Sequence, residues 1–138
     1  MKRIAIIVDI DGTVAHNDGH RGPYDWTKIG EDKPIAGVIK FIKFMYKTNI
    51  EIIYVSGRMD ICSDGTCAWI EKHVGSVQNI FMRKTDDYRP DDVVKEEIYR
   101  DYIEPYYDVI GVFDDRTKVV RKWRELGLTC FQVADGDF

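Results

Sequence analysis

Two aspartates one residue apart, Asp9 and Asp11, close an unbroken apolar run in the segment Ile4–Thr13, which reads I-A-I-I-V-D-I-D-G-T. The run is too short for an ordinary helix and fits a strand buried on both faces, as in a parallel sheet. Burying an acid at a strand tip is unfavourable by several kcal/mol unless a cation or hydrogen-bond donors offset it. Two of them on a hydrophobic stalk point to a divalent cation and phosphate chemistry, one carboxylate attacking phosphorus and the other handling protons. Two plainer readings compete. Asp-Gly is a turn signal, so Asp11-Gly12-Thr13 could simply cap the next element. A receiver-type signalling module would also gather carboxylates, a hydroxyl and a lysine at parallel-strand ends.

The elements that must position such a pair alternate along the chain. Ile35–Lys47 carries Ile35, Val38, Ile39, Ile42, Met45 and Tyr46 at helical spacing behind Pro34. Ile50–Val55 is the next buried strand and runs into Ser56-Gly57-Arg58. A short helix over Thr66–Val74 should stop at Gly75, and Val77–Met82 reads as a third strand. Asp91 or Asp92, following Pro90, is a good N-cap for a helix to about Ile103. Tyr107–Phe113 forms a fourth strand ending in Asp114-Asp115. Thr117–Leu126 is helical, with Val119, Val120, Trp123 and Leu126 inward and Gly127 as terminator, and Thr129–Val133 is the last strand. This alternation predicts an α/β three-layer sandwich around a mostly parallel five-stranded sheet. Sites in such folds gather at the carboxyl ends of strands, where Asp9, Ser56 and Asp114 all fall.

At 138 residues the chain is expected to form one domain, 1–138, with room for a real core. No apolar stretch approaches the ~20 residues of a membrane span, and the N-terminus lacks a signal-peptide layout. No membrane partner and a cytoplasmic location are therefore expected. A net charge of −4 argues against gripping long duplex nucleic acid, which calls for a basic face. It leaves room for recognition of a terminus by a few arginines. Cys62, Cys67 and Cys130 are odd in number and lack zinc spacing, so they read as reduced thiols. His16, His20 and His73 show no ligand spacing either.

Asp9-Ile10-Asp11-Gly12-Thr13, Ser56, Lys95 and Asp114-Asp115 follow one another in the order of the four motifs of the haloacid dehalogenase superfamily, which the chain resembles. A narrower set resembles the 3′-phosphatase domain of phage-type polynucleotide kinase/phosphatase. It comprises H-R-G-P-Y-D at His20–Asp25, V-S-G-R at Val55–Arg58, D-D-V-V-K-E-E-I at Asp91–Ile98, D-D-R-T at Asp114–Thr117 and the terminal Q-V-A-D-G-D-F. The resemblance implies a Rossmannoid fold with a minimal cap and, as substrate, a 3′-phosphorylated end of RNA or DNA. It leaves open the opening of a 2′,3′-cyclic phosphate. Nothing matches the G-x-x-x-x-G-K-[ST] loop of the kinase half, so kinase activity should be absent and a separate kinase or ligase could act beside this chain. Self-association into a homo-oligomer is equally left open.

The residue types assign the roles. Asp9 is the expected nucleophile and Asp11 the general acid and base. Mg²⁺ would take oxygens from Asp9, the backbone carbonyl of Asp11, and one or both of Asp114 and Asp115. Thr13 and Ser56, the latter in its turn with Gly57, would donate to phosphoryl oxygens, and Lys95 would neutralise developing charge. Lys95 alone would pass for a solvated helix residue. Asp91 is expected to orient Lys95 or Arg58. Arg21 and Arg58 are expected to set specificity, since guanidinium forks suit a second phosphate or a terminal phosphodiester. Tyr24 and Trp26 could stack a terminal base or simply pack the cap. Arg83, Lys84 and Arg89 could line the strand's path or form a solvated face. The expected activity is Mg²⁺-dependent removal of a 3′-terminal phosphate, with a small-molecule phosphomonoesterase as the nearest rival. A receiver fares worse, because receivers place the adjacent acid pair first and here D-D comes late.

Overall fold

The apolar run that carries Asp9 is the middle strand of the sheet. The computed structural model describes all of residues 1–138. In chain order the strands are β1 (Arg3–Val8), β2 (Ala15–His16), β3 (Lys33–Pro34), β4 (Glu51–Met59), β5 (Asn79–Arg83), β6 (Tyr107–Asp114) and β7 (Cys130–Gln132). The helices are α1 (Ala36–Met45), α2 (Ser63–His73), α3 (Asp91–Ile98), which continues as a π turn through Tyr99–Ile103, and α4 (Thr117–Glu125). Five strands form one parallel sheet in the order β5-β4-β1-β6-β7. The strand order reverses at β1, so the crevice beyond its carboxyl end is the topological switch point where such folds bind ligands.

β1 lacks polar alternation because both its faces are covered. Ala5 and Ile7 join Val94, Ile98, Val120 and Trp123 in the layer under α3 and α4. Ile6 and Val8 join Ile39, Ile42, Trp69 and Ile70 under α1 and α2. This is the predicted α/β sandwich. Between β2 and β3, an antiparallel pair, the chain makes a 3₁₀ turn at Trp26–Glu31, and this short excursion is the minimal cap.

Several boundaries differ from the sequence expectation. Pro34 belongs to β3, so α1 starts at Ala36. α2 begins three residues early at Ser63, after a 3₁₀ turn at Asp60–Cys62, because burial of Thr66, Trp69 and Ile70 overrides the poor helix propensity of Gly65. Pro90, not Asp91 or Asp92, holds the N-cap position of α3, and Asp91 is the first helical residue. β4 runs on past Ser56 to Met59, with a register shift against β5 between those two residues. No helix is long and apolar enough to cross a membrane.

Candidate active site

Asp9 follows β1 directly, its amide donating to the Phe113 carbonyl of β6 at 2.9 Å. Its carboxylate is nearly buried and doubly held: Lys95 Nζ donates to Oδ1 at 2.9 Å and Thr13 Oγ1 to Oδ2 at 2.9 Å. Lys95 reaches in from α3 and also donates to Asp114 Oδ2 at 3.0 Å. Asp114 is itself fixed by four donors: Lys95, Trp123 Nε1 at 3.1 Å, and the backbone amides of Asp115 and Arg116 at 2.9 and 3.3 Å. Lys95 is therefore no solvated helix residue. Thr13 serves the Asp9 carboxylate in this arrangement, where a phosphoryl oxygen had been expected as its acceptor.

The electrostatics are strained in one direction. Burial and then repulsion from Asp114 raise the Asp9 pKa well above the ordinary carboxylate value, with Lys95 pulling the other way. Burial also raises that of Asp115. Burial pulls the Lys95 pKa down, but Asp114 and Asp9 outweigh it and hold the ammonium charged. Asp9, Asp114 and Asp115 each offer one oxygen, all within 4.8 Å of one another and all buried. An oxygen-only cluster of three acids, whose repulsion the single Lys95 ammonium offsets only in part, fits a hard dication such as Mg²⁺.

A pH test follows. Because Asp9 and Asp115 bind protons more tightly folded than unfolded, the metal-free protein should lose their contribution as pH rises above the ordinary carboxylate range. A bound dication would replace those protons. The Tm gain from Mg²⁺ should reach several degrees at about pH 7.5 and shrink towards about pH 5. Thermal melts with Mg²⁺ or EDTA check this, and equal gains at both pH values would contradict it.

Gly12 closes this end of the site. Its φ is +82°, and a Cβ there would lie 2.0 Å from Asp115 Oδ2. Gly12→Ala should therefore combine left-handed strain of ~1–2 kcal/mol with displacement of Asp115. The expected outcome is a lower Tm and a large loss of turnover, read by melting and by phosphate release.

Asp11 stands at the rim with its side chain 49% exposed, while the groups that hold it are buried. Arg58 grips it bidentately, Nε to Oδ2 at 2.9 Å and Nη2 to Oδ1 at 2.7 Å. The same guanidinium donates to Thr66 Oγ1 at 3.0 Å and to Asp32 Oδ2 at 3.0 Å. Arg21 forms its own fork to Asp32, Nε to Oδ1 at 2.9 Å and Nη2 to Oδ2 at 2.8 Å, and approaches Asp11 to 3.7 Å. The Asp32 carbonyl accepts from Trp69 Nε1 at 2.9 Å. Arg58 lines the cavity of the site and Arg21 lies behind it, and the forks of both are spent on Asp11 and Asp32. They hold Asp11 in place, and neither presents a free fork for a second phosphate.

On the other wall, Ser56 Oγ accepts from the Arg58 amide at 3.1 Å. Gly57 leaves space for Asp91: a Cβ there would fall 2.5 Å from Asp91 Oδ1. Asp91 does not orient Arg58 or Lys95 by hydrogen bonding. It accepts from Arg83 Nη2, and from Arg116 Nη1 at 2.9 Å. Its own burial would raise its pKa, but Lys95, Arg83 and Arg116 outweigh that and hold it low. Arg83 is a buried hub, donating also to the carbonyls of Gly57 at 2.8 Å and Asp87 at 3.0 Å. Arg89 spends its guanidinium on Asp87 and Glu97 at the surface. Arg83 and Arg89 thus line the cavity with guanidinium groups already engaged by the protein's own carbonyls and carboxylates.

Asp9, Asp11, Lys95, Asp114, Asp115 and Arg58 all line one cavity of about 490 Å³. A larger hollow of about 680 Å³, beside Arg3, Tyr46, Asn49 and Gln78, holds none of them. Sequence reasoning missed Asp32, Thr66 and the Trp123 contact to Asp114. Asp32 stands in a run of charges that reads as solvated loop. Trp123 offered one clue, since a buried indole N–H seeks an acceptor.

A parallel sheet bearing D-x-D at its middle strand, a hydroxyl on the next, a helix lysine and a late D-D defines a haloacid dehalogenase-type phosphatase, a phosphoric monoester hydrolase. Residues 3–138 match the model of the polynucleotide kinase PNKP phosphatase domain, and the chain belongs to that family. It is 38% identical over 133 residues to a putative bifunctional polynucleotide kinase/RNA ligase of Autographa californica nuclear polyhedrosis virus, covering 94% of this chain and 19% of that protein. It superposes with a TM-score of 0.94 and 35% identity on a chain of the Pnkp1/Rnl/Hen1 RNA repair complex, covering 99% of this chain and 44% of that one. The chain thus spans less than half the length of either relative. The class C acid phosphatase of Bacillus anthracis shares the fold at a TM-score of 0.68 and 20% identity, over 99% of this chain and 70% of that one.

Proposed function

We propose that this chain hydrolyses the 3′-terminal phosphate of RNA or DNA in a Mg²⁺-dependent reaction through an aspartyl-phosphate on Asp9. The observation that carries the reading is the opposition, in one cavity, of a buried Asp9 braced by Lys95 and a half-exposed Asp11 braced by Arg58. Asp9 is fixed for in-line attack by its two hydrogen bonds. Asp11, the only one of the four site acids with substantial access, would give a proton to the leaving sugar oxygen and then take one from the hydrolytic water. Lys95 holds a charge beside the developing phosphorane oxygens. Mg²⁺, held by Asp9, Asp114, Asp115 and the Asp11 carbonyl, would supply Lewis-acid neutralisation of the dianionic ester.

The choice of a polynucleotide rests on family membership and on the kinase/ligase and repair-complex relatives. A kinase or ligase working on the same broken end is the natural partner reaction. The small-molecule alternative draws on one observation: with Arg21 and Arg58 committed to Asp11 and Asp32, neither offers a free fork for a second phosphate. Phosphate release with Mg²⁺ should be compared for a 3′-phosphorylated oligonucleotide, its 5′-phosphorylated isomer and a mononucleotide. The reading requires the first to win clearly, and preference for the mononucleotide would favour the alternative.

A further inference from the structure

The three most exposed aromatic side chains of the protein, Tyr88 at 78%, Tyr24 at 77% and Phe138 at 72%, all line the catalytic cavity. They come from three separate segments: the cap, the β5–α3 connection and the stretch after β7. Isolated exposed apolar residues are ordinary on any surface. Convergence of these three on the one cavity with an acidic floor is not.

Each ring is also braced. Tyr24 stands edge-on to Trp26, with centroids 6.2 Å apart, and Trp26 lies under the Arg21 guanidinium at 5.8 Å. The Tyr88 hydroxyl donates to Asp86 Oδ1 at 3.2 Å. Phe138 lies under the Arg116 guanidinium at 5.3 Å, while its carbonyl accepts from Arg116 Nε at 2.9 Å. Rings held in place lose little freedom on binding. Phenyl and phenol faces add nothing to phosphate recognition, but they match the flat face of any nucleobase. A cavity of about 490 Å³ suits one nucleotide, so a base lodged among the three rings would be parted from a pairing partner.

We propose that Tyr24, Tyr88 and Phe138 form a nucleobase-stacking subsite, so that the substrate end is an unpaired terminal nucleotide recognised by the face of its base and not by its identity. The inference rests on the polynucleotide reading above and adds a requirement to it. Base–aromatic stacking tolerates any sequence because every base has a π-face.

The test uses the whole chain and oligonucleotides that differ only at the 3′-phosphorylated nucleotide: unpaired with a base, unpaired and abasic, or paired in a blunt duplex. Glycerol phosphate serves as a baseless monoester. In kcat/KM the abasic and paired ends should each lose roughly tenfold or more, while exchanging one base for another changes the value by less than about threefold. Tyr88→Leu should shrink the ratio of base-bearing to abasic rates towards one. Equal wild-type rates on base-bearing and abasic ends would overturn the subsite and leave the polynucleotide reading standing. So would a Tyr88→Leu ratio that matches wild type. A wild type that prefers glycerol phosphate to every oligonucleotide would overturn the polynucleotide reading itself, and the subsite with it.

Discussion

Asp9→Asn is expected to lower phosphate release by about a thousandfold or more while the fold survives. The amide keeps the shape of the side chain, and its oxygen can still accept from Lys95 while its NH2 donates to the Thr13 hydroxyl, but it cannot attack phosphorus. The substitution also removes one of three mutually repelling carboxylates, whose burial and repulsion raise the Asp9 pKa. Metal-free Asp9→Asn protein should therefore melt no lower than wild type near neutral pH, and the Tm gain from Mg²⁺ should shrink. Activity and melting together separate this from simple unfolding. Residual turnover above about a tenth of wild type would show that Asp9 is not the nucleophile.

Asp32→Asn should be nearly as damaging, for a different reason. Asp32 touches neither cavity nor substrate, yet it is the carboxylate on which both Arg21 and Arg58 converge, with its side chain and both guanidinium groups almost fully buried. An amide neutralises neither cation: Arg21 loses its forked carboxylate partner, and Arg58 is left with the Asp11 carboxylate alone. Breaking a buried ion pair from one side typically costs about 3–5 kcal/mol, a large part of the ~5–15 kcal/mol that holds an average domain folded. Because Arg58 also fixes Asp11, kcat should fall at temperatures where the variant remains folded. Urea unfolding and kcat measured below the variant's melting range check the two effects. Wild-type stability with wild-type kcat would mean that the network does not hold Asp11.

The sequence made the floor of the site legible and its walls only partly so. Asp9, Asp11, Asp114 and Asp115 lie at or just past the tips of strands whose apolar runs are unmistakable, so their gathering follows from the fold alone. Lys95 alone reads as a solvated helix residue and is picked out only by the family resemblance of the D-D-V-V-K-E-E-I block, and the structure brings it to Asp9 and Asp114. The structure puts Arg58 in the cavity wall and Arg21 behind it, but their acceptors could not be read from the sequence. Asp32 reaches them from a loop fixed by tertiary packing, through the Trp69 indole, and no local pattern marks it. The same limit applies to Asp91, whose arginine partners lie eight and twenty-five residues away along the chain. The α2 start was hidden because Asp64-Gly65 looks like a turn until Trp69 and Ile70 are buried beneath it.

The central claim is that Asp9 takes the phosphoryl group from a 3′ end and holds it covalently until Asp11 activates water. Acid quenching of the enzyme with Mg²⁺ and an oligonucleotide radiolabelled in its 3′-terminal phosphate tests this most directly. Label should appear on the protein in the peptide that contains Asp9, accumulate further in Asp11→Asn protein as hydrolysis slows, and be absent in Asp9→Asn protein. Release of inorganic phosphate with no labelled protein at any quench time, or label retained in the Asp9→Asn variant, would contradict the account.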